Sequence, residues 1–302
     1  MNQGNREKVE ALLGTAGNPE VAASALEAAA SAGAACEPGF LTVLCARKEA
    51  ASEAQAKGFA EAAGLDVYTA RQRLSSPVPR PLRRDGTERE SAKWVKLLRG
   101  LGLRAFTASE REISETEFLP CTAIFKDAGH LIVRSGAGDK HIAFAEFCGI
   151  ACGEVTSQVV ESRVQDRLAG EAITQRNVSR TSEFIIDLAM RGQPRIIRLR
   201  QSTFDFARVM PAETSASSVQ IRAILKMICK ALPGAPVYDQ FAVAEGLLVS
   251  DGAERLSATS GAARRGIASG MAVHRNTREE RTALPTFDLY STLARFEVLR
   301  GA

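Results

Sequence analysis

Between Leu41 and Phe106 the spacing of the apolar residues changes from that of a strand to that of helices, and then back to that of a strand. The run from Leu41 to Ala46 is short, nearly all apolar and rich in β-forming residues, so it predicts a strand covered on at least one face. Three segments with helical spacing follow, and Leu103 to Phe106 predicts a second strand. Residues 39–109 are therefore predicted to fold as a small mixed unit in the order strand, helix, helix, helix, strand.

The ends of these helices are marked by residues with defined local roles. Gly64 predicts the end of the first helix, because glycine readily adopts the left-handed conformation found at helix C-termini. Asp66 is a natural N-cap for the second helix. Thr87 and Glu90 have the spacing of a capping box, which predicts the start of the third helix. The prolines within residues 77–81 predict a stiff connector between the second and third helices.

Several short pieces of this unit share their spacing with a known family. They are Gly64-Leu65, Ala70-Arg71, Leu74, Leu98 and Leu101-Gly102-Leu103. In these residues the segment resembles the C-terminal domain of the bacterial ribosomal stalk protein, which is related to the ClpS-type adaptor fold. The resemblance implies that fold and a pair of helices that docks to proteins, with Arg71 as the one matched basic position. Asp66 stands where the family has a second glycine and most of the family's factor-recruiting lysines are absent, so ribosome membership is not implied.

The rest of the chain predicts antiparallel strands followed by an amphipathic helix. Turn residues at 126–129 and 191–194 predict hairpins, and the apolar stripe from Val219 to Leu232 predicts the helix. This order resembles the pleckstrin-homology-like barrel, and the two modules together resemble bacterial proteins of uncharacterised function. Asp288 is a plausible cap for a terminal helix.

The predicted fold class is therefore α+β: a small α/β stalk-like module followed by an antiparallel β-barrel with a C-terminal capping helix. The predicted domains are a helical N-terminal appendage (1–38), the stalk-like module (39–109), the barrel with its helix (117–235) and a C-terminal extension with a terminal helix (236–302).

The net charge of +4 is unevenly distributed along the chain. Residues 39–109 hold 13 Lys and Arg against 7 Asp and Glu, a net charge of +6, and such a surface attracts acidic partners. We therefore predict a non-enzymatic protein-binding or adaptor protein whose partner is an acidic protein surface. Nucleic acid is the less favoured partner, because only Tyr68 and Trp94 supply aromatic rings near the basic run. The predicted partner-binding residues are Leu65, Arg71, Arg73, Arg80, Arg83 and Arg84.

A second basic segment predicts an alternative function. Arg163, Arg167, Arg176 and Arg180 fall in a predicted loop between strands, and paired arginines bind phosphates through two parallel hydrogen bonds. The alternative is a sensor that binds a nucleotide or another anionic small ligand through residues 163–180.

The sequence patterns do not point to catalysis. The glycines at 100–102 precede a predicted strand, whereas a dinucleotide-binding loop needs them at the start of a helix. The sequence has no phosphate-binding loop that ends in Gly-Lys-Ser or Gly-Lys-Thr. The spacing of Cys148 and Cys152 does not fit a zinc site, so these thiols are predicted to pack as small apolar groups. We expect no catalytic residue, no cofactor and no bound metal.

Location is predicted from cysteine usage and hydropathy. Six scattered cysteines do not form the framework of a secreted disulfide-rich protein. The longest apolar runs fall far short of the roughly 20 residues that a membrane span needs. The chain is therefore predicted to be cytoplasmic, with no membrane span.

Overall fold

A computed structural model of the protein describes residues 38–165, 173–209, 216–250, 264–266 and 274–301. The predicted appendage, residues 1–38, lies outside the described residues apart from Pro38.

Three strands and three helices form the stalk-like module, residues 39–109. They are β1 (Phe40–Leu44), α1 (Glu53–Ala63), α2 (Val67–Leu74), β2 (Arg80–Asp85), α3 (Glu88–Gly100) and β3 (Ala105–Ser109). The strands are antiparallel in the order β2-β1-β3. Leu44 of β1 belongs to the same core as Phe59 of α1 and Leu98 of α3, so the helices pack on one face of this sheet.

Strand β2 lies partly where the prolines predict a connector, so that prediction is wrong for residues 80–81, and the predicted order of elements lacks this strand. Pro81 pairs with Val43, and the register of the ladder shifts between Thr42 and Val43. Because β2 is an edge strand and the ladder is irregular at this point, the missing N–H of proline is tolerated.

The rest of the chain contains ten strands and five α-helices within the described residues. The strands are β4 (Glu117–Cys121), β5 (Ala123–Asp127), β6 (His130–Ser135), β7 (Gly138–Ala143), β8 (Phe147–Gln165), β9 (Ile173–Met190), β10 (Arg195–Arg200), β11 (Val237–Tyr238), β12 (Arg264–Gly266) and β13 (His274–Thr282). The helices are α4 (Glu110–Ser114), α5 (Phe206–Val209), α6 (Ser217–Ala231), α7 (Phe241–Ser250) and α8 (Leu284–Arg300), and a short 3-10 helix spans Phe144–Glu146.

These strands form open sheets. The largest has the order β12-β13-β8-β9-β10-β4 with β11 beside β8, and β5, β6 and β7 form a separate antiparallel sheet. Strand β4 pairs in parallel with β10, a pairing that a series of simple hairpins does not predict. The α+β class is confirmed, and the predicted barrel is corrected to an open sheet, since the described strands do not close on themselves.

Apolar residues pack against both faces of the large sheet. Successive side chains of a strand point to opposite faces, so neighbouring residues belong to different cores. Ile186 of β9 belongs to a core that includes Ile224 of α6. Its neighbour Ile185 belongs to a second core with Phe287 and Tyr290 of α8. Helix α6 therefore covers one face, and α8 together with α7 covers the other, where the sequence predicts one capping helix and a separate terminal helix.

Helix α8 begins at Leu284, ahead of the predicted cap Asp288. Asp288 instead accepts a hydrogen bond of 2.6 Å from Arg198 of β10. Arg198 also makes two hydrogen bonds, of 2.8 and 2.7 Å, to the buried carboxylate of Asp187 in β9. This buried charge cluster fixes α8 to the sheet.

The C-terminal end of α8 joins the stalk-like module to the rest of the chain. The Glu297 carboxylate accepts a 3.0 Å hydrogen bond from the Ala46 amide, and Arg104 donates a 2.7 Å hydrogen bond to the Gly301 carbonyl. Residues 39–302 accordingly pack as one compact unit, and their contacts do not separate the modules predicted within it. Among the described residues, no helix combines the length and the hydropathy needed to cross a bilayer.

Candidate docking surface

Helices α1 and α2, the pair that the stalk resemblance singles out, are fixed by their caps. Gly64 adopts a φ of 65° at the C-terminus of α1, as the sequence predicts. Asp66 is the N-cap of α2, and its carboxylate accepts a hydrogen bond of 2.9 Å from the Thr69 amide. Hydrogen bonding by Thr69 also lowers the pKa of Asp66, so this cap carries its charge at neutral pH. The two caps set the turn from which α2 presents its outer face.

The outer face of α2 carries two exposed apolar side chains. Ala70 and Leu74 are buried, as the periodicity predicts. Val67, which has the same helical spacing as these two residues, is 40% exposed, and Tyr68 is 72% exposed. The Tyr68 hydroxyl accepts a 3.4 Å hydrogen bond from Gln72, one turn further along. An aromatic ring is thus held on the outside of a capped helix.

Two of the five predicted arginines also lie on α2. Arg71 is exposed and Arg73 is half-buried. Within the described part of the chain, neither guanidinium makes a hydrogen bond or an ion pair. Arg71 adds slightly to the lowering of the Glu53 pKa, which comes mainly from Lys57. Both cations can therefore contact a partner without losing a hydrogen bond inside the chain.

The other three predicted arginines hold the module together. Arg80 is only 7% exposed and donates a 3.4 Å hydrogen bond to the Gln72 carbonyl. Arg83 pairs with the buried Asp85. Arg84 donates to Glu110 at 2.8 Å, and this interaction lowers the pKa of Glu110. The predicted cluster is thus divided, because β2 places these residues in the sheet. There Arg80 meets a backbone carbonyl and Arg83 and Arg84 meet carboxylates, and a count of charges along the chain does not reveal these contacts.

A small pocket of about 130 Å³ lies next to α2. The predicted residue Leu65 lines it together with Leu82 and Trp94. Arg73 and Arg83 also line the pocket, and the Arg83 guanidinium lies 5.0 Å from the centre of the Trp94 ring. We call the part of α2 and its preceding turn that is not buried, with Leu65, Val67, Tyr68, Arg71 and Arg73, the α2 surface. Tyr68 and Arg71 lie three residues apart on one side of the helix, whereas Arg73 lies on the side that borders the pocket. The α2 surface combines apolar contacts with two cations.

The second predicted site, residues 163–180, is only partly described. Arg163 lies in β8 opposite Gln175, and Arg176 lies in β9 opposite Ser162, so these two arginines are in strands and not in the predicted loop. Arg167 lies outside the described residues, as do the side chains of Arg163 and Arg176. Arg180 is exposed on β9. An anion site at this hairpin stays a prediction.

The cysteines are arranged as buried thiols. Cys148 and Cys152 are both buried, and the register of β8 shifts between Phe147 and Gly149, which interrupts the regular alternation of the strand at Cys148. Burial raises the pKa of Cys45, Cys121 and Cys152 to about 12 in each case. Within the described residues, His, Cys, Asp and Glu side chains do not assemble into a group of three that could hold a metal ion.

The α2 surface is suited to holding a partner. Its aromatic ring supplies apolar contact area, and its two arginines supply hydrogen-bond donors for carboxylates. The arginines of this surface could be predicted from the sequence. The exposure of Tyr68 could not, because it depends on how α2 packs against α1. Comparisons of the chain with protein-family models, with curated proteins and with solved structures find no match.

Proposed function

We propose that the protein is a non-enzymatic adaptor that binds an acidic segment of a partner protein on the α2 surface. The observation that carries the proposal is the exposed ring of Tyr68, 72% accessible, on a helix that also presents Arg71, which makes no ion pair with the residues that the structure describes. Tyrosine and arginine are the residue types most enriched among the energetically dominant residues of protein interfaces. An adaptor with this surface acts in the cytoplasm, the compartment we propose for it.

The chemistry of the partner follows from the charges and the pocket. Arg71 and Arg73 favour carboxylates, because a guanidinium can donate two parallel hydrogen bonds to one carboxylate. The pocket beside Leu65 has room for one apolar side chain. A partner segment with an apolar residue flanked by Asp or Glu would satisfy both features.

The proposed likeness to the stalk domain also favours this surface. The module runs β1-α1-α2-β2-α3-β3 with an antiparallel sheet, and the α1–α2 pair is the part to which the proposed likeness to the stalk domain assigns protein docking. Three of the arginines first predicted to bind the partner are used inside the module, which leaves Arg71 and Arg73 as the cations offered to it.

The state of the cysteines argues against a cysteine nucleophile. Burial raises the pKa of all five thiols within the described residues. A thiol with a raised pKa carries little thiolate at neutral pH, and the thiolate is the nucleophilic form.

The test is affinity capture with the full chain and three variants. Tyr68→Ser and the double variant Arg71→Glu/Arg73→Glu change the α2 surface without removing a hydrogen bond or an ion pair of the arginines. Lys226→Glu/Lys230→Glu reverses two exposed charges on α6 and serves as the matched control. Reversal of all five predicted arginines is a poor test, because Arg80, Arg83 and Arg84 stabilise the fold.

We expect partners that the wild type and the α6 control capture equally and that both α2 variants lose. Truncating a dominant interface residue costs about 2 kcal/mol or more, so the affinity for such a partner falls at least about tenfold. Identical capture by all four proteins would contradict the proposal.

A further inference from the structure

A larger cleft lies on another part of the protein, where the stalk-like module meets the rest of the chain. Its volume is about 400 Å³, within the range of small-molecule sites. One wall comes from residues 46–48, which follow β1, and from Pro77 and Val78. The opposite wall comes from residues 237–240, which form β11 and lead into α7, and from Tyr290 of α8.

Tyr290 brings an unsatisfied polar group to this cleft. The residue is fully buried, and its ring packs against Phe241 and Phe287 with centroids 5.6 and 6.0 Å away. Among the buried side-chain oxygen and nitrogen atoms of the described residues, only the Tyr290 hydroxyl lacks a hydrogen-bond partner. Buried polar groups in native proteins nearly always have a partner, and a bound molecule is one way to supply it.

The position of this hydroxyl relates it to the cleft. Burial raises the pKa of Tyr290, and the Gln240 backbone lies near enough to offset part of that rise, although its N–H does not reach hydrogen-bond geometry with the hydroxyl. Gln240 lines the cleft together with Tyr290. Tyr290 therefore lines the cleft, and its hydroxyl lies close to the backbone of another residue that lines it.

The charges of the cleft favour an anion. Arg47 and Lys48 stand on one wall, and Asp239 is the single carboxylate among the described lining residues. Within the described part of the chain, the Lys48 side chain makes no hydrogen bond or ion pair, and the Arg47 guanidinium makes one long hydrogen bond of 3.5 Å to Gln55. Helix α7 begins directly after Gln240, so the positive end of its dipole lies at the opposite wall.

We infer that the cleft binds a small aromatic or heteroaromatic anion whose carboxylate or phosphate faces Arg47 and Lys48. The ring of such a ligand lies along Tyr238, Pro77 and Val78. A carbonyl oxygen or a ring nitrogen at its other end accepts the hydrogen bond of the Tyr290 hydroxyl. This site is separate from the α2 surface and from residues 163–180. A failure of the docking proposal would therefore not disprove it.

The test measures ligand-induced thermal shifts and dissociation constants for the full chain with two probes. Adenosine monophosphate tests a phosphate ligand, and 4-hydroxyphenylacetate tests a carboxylate ligand. Arg47→Ala/Lys48→Ala removes the cations, Tyr290→Phe removes only the orphan hydroxyl, and Lys226→Ala/Lys230→Ala removes two exposed cations of α6 as the matched control.

We expect at least one probe to raise the melting temperature of the wild type and of the α6 control equally. A shift with adenosine monophosphate identifies a phosphate as the anionic group, and a shift with 4-hydroxyphenylacetate identifies a carboxylate. Loss of the two cations weakens binding more than about tenfold, and Tyr290→Phe, which keeps the ring, weakens it about three- to tenfold, the effect of one hydrogen bond. The inference is overturned if neither probe binds, or if either cleft variant binds as tightly as the wild type, since the anion would then lie elsewhere.

Discussion

The buried carboxylate of Glu297 gives the joint between the two modules a pH dependence that can be calculated. Glu297 is 5% exposed, and burial raises its pKa to about 6, although the Ala46 amide and Arg104 both act in the opposite direction. A carboxyl group with a raised pKa binds its proton more tightly in the folded chain than in the unfolded chain. Its contribution to stability is therefore complete below the ordinary pKa near 4.5 and is lost as the pH rises through about 6.

The size of this effect follows from the shift of the pKa. A rise of about 1.5 units corresponds to about 2 kcal/mol, which the wild type loses between about pH 4 and about pH 7. Glu297→Gln removes the titration and keeps an oxygen that can accept the Ala46 hydrogen bond. Urea denaturation of both proteins at the two pH values isolates the group, because all other titrations are shared.

The free energy of unfolding of the variant, relative to the wild type, should rise by about 2 kcal/mol from the lower to the higher pH. A relative stability that does not change with pH would show that the carboxylate is hydrated or paired in solution. A change of the opposite sign would show that Arg104 outweighs burial.

Three further substitutions test the packing around the sheet and the cleft. Asp187→Ala leaves the buried Arg198 cation with one carboxylate fewer and should lower the free energy of unfolding by about 3–5 kcal/mol in urea denaturation. A loss below about 1 kcal/mol would mean that water reaches the guanidinium. Tyr290→Phe should stabilise the ligand-free protein by about 1–3 kcal/mol in thermal denaturation, because it removes an unsatisfied buried hydroxyl, and a loss of stability would reveal a hydrogen bond to that hydroxyl. Gly153→Val places a side chain against Phe241 and should cost about 1–3 kcal/mol or more, and unchanged stability would mean that α7 can move away from β8 at little cost.

The helices of the stalk-like module could be predicted because their limits depend on local chemistry. Gly64, Asp66 and Thr87 act within one turn of their own positions, and each lies where the sequence places it. Strand β2 could not be predicted in the same way. Its proline is acceptable only because the strand lies at the edge of the sheet and the ladder is irregular beside it, and both facts belong to the assembled fold.

The candidate site was only partly visible in the sequence for a similar reason. The net positive charge of the module follows directly from its sequence. The pairing of Arg83 with Asp85 and of Arg84 with Glu110 depends on how β2 lies in the module. The cleft joins residues 46–48 to residues 237–240. Contacts between segments so far apart in the chain arise from tertiary packing, which neither composition nor periodicity encodes.

The most direct test of the docking proposal places a photo-crosslinking residue at position 68 in the living cell, with position 219 as control. Val219 is also an exposed apolar residue, 55% accessible, and it lies on α6 away from the stalk-like module. The account predicts that position 68 forms covalent adducts with another protein, that Arg71→Glu/Arg73→Glu reduces them, and that position 219 does not form them. The absence of adducts at position 68, or the same adducts at both positions, would contradict it.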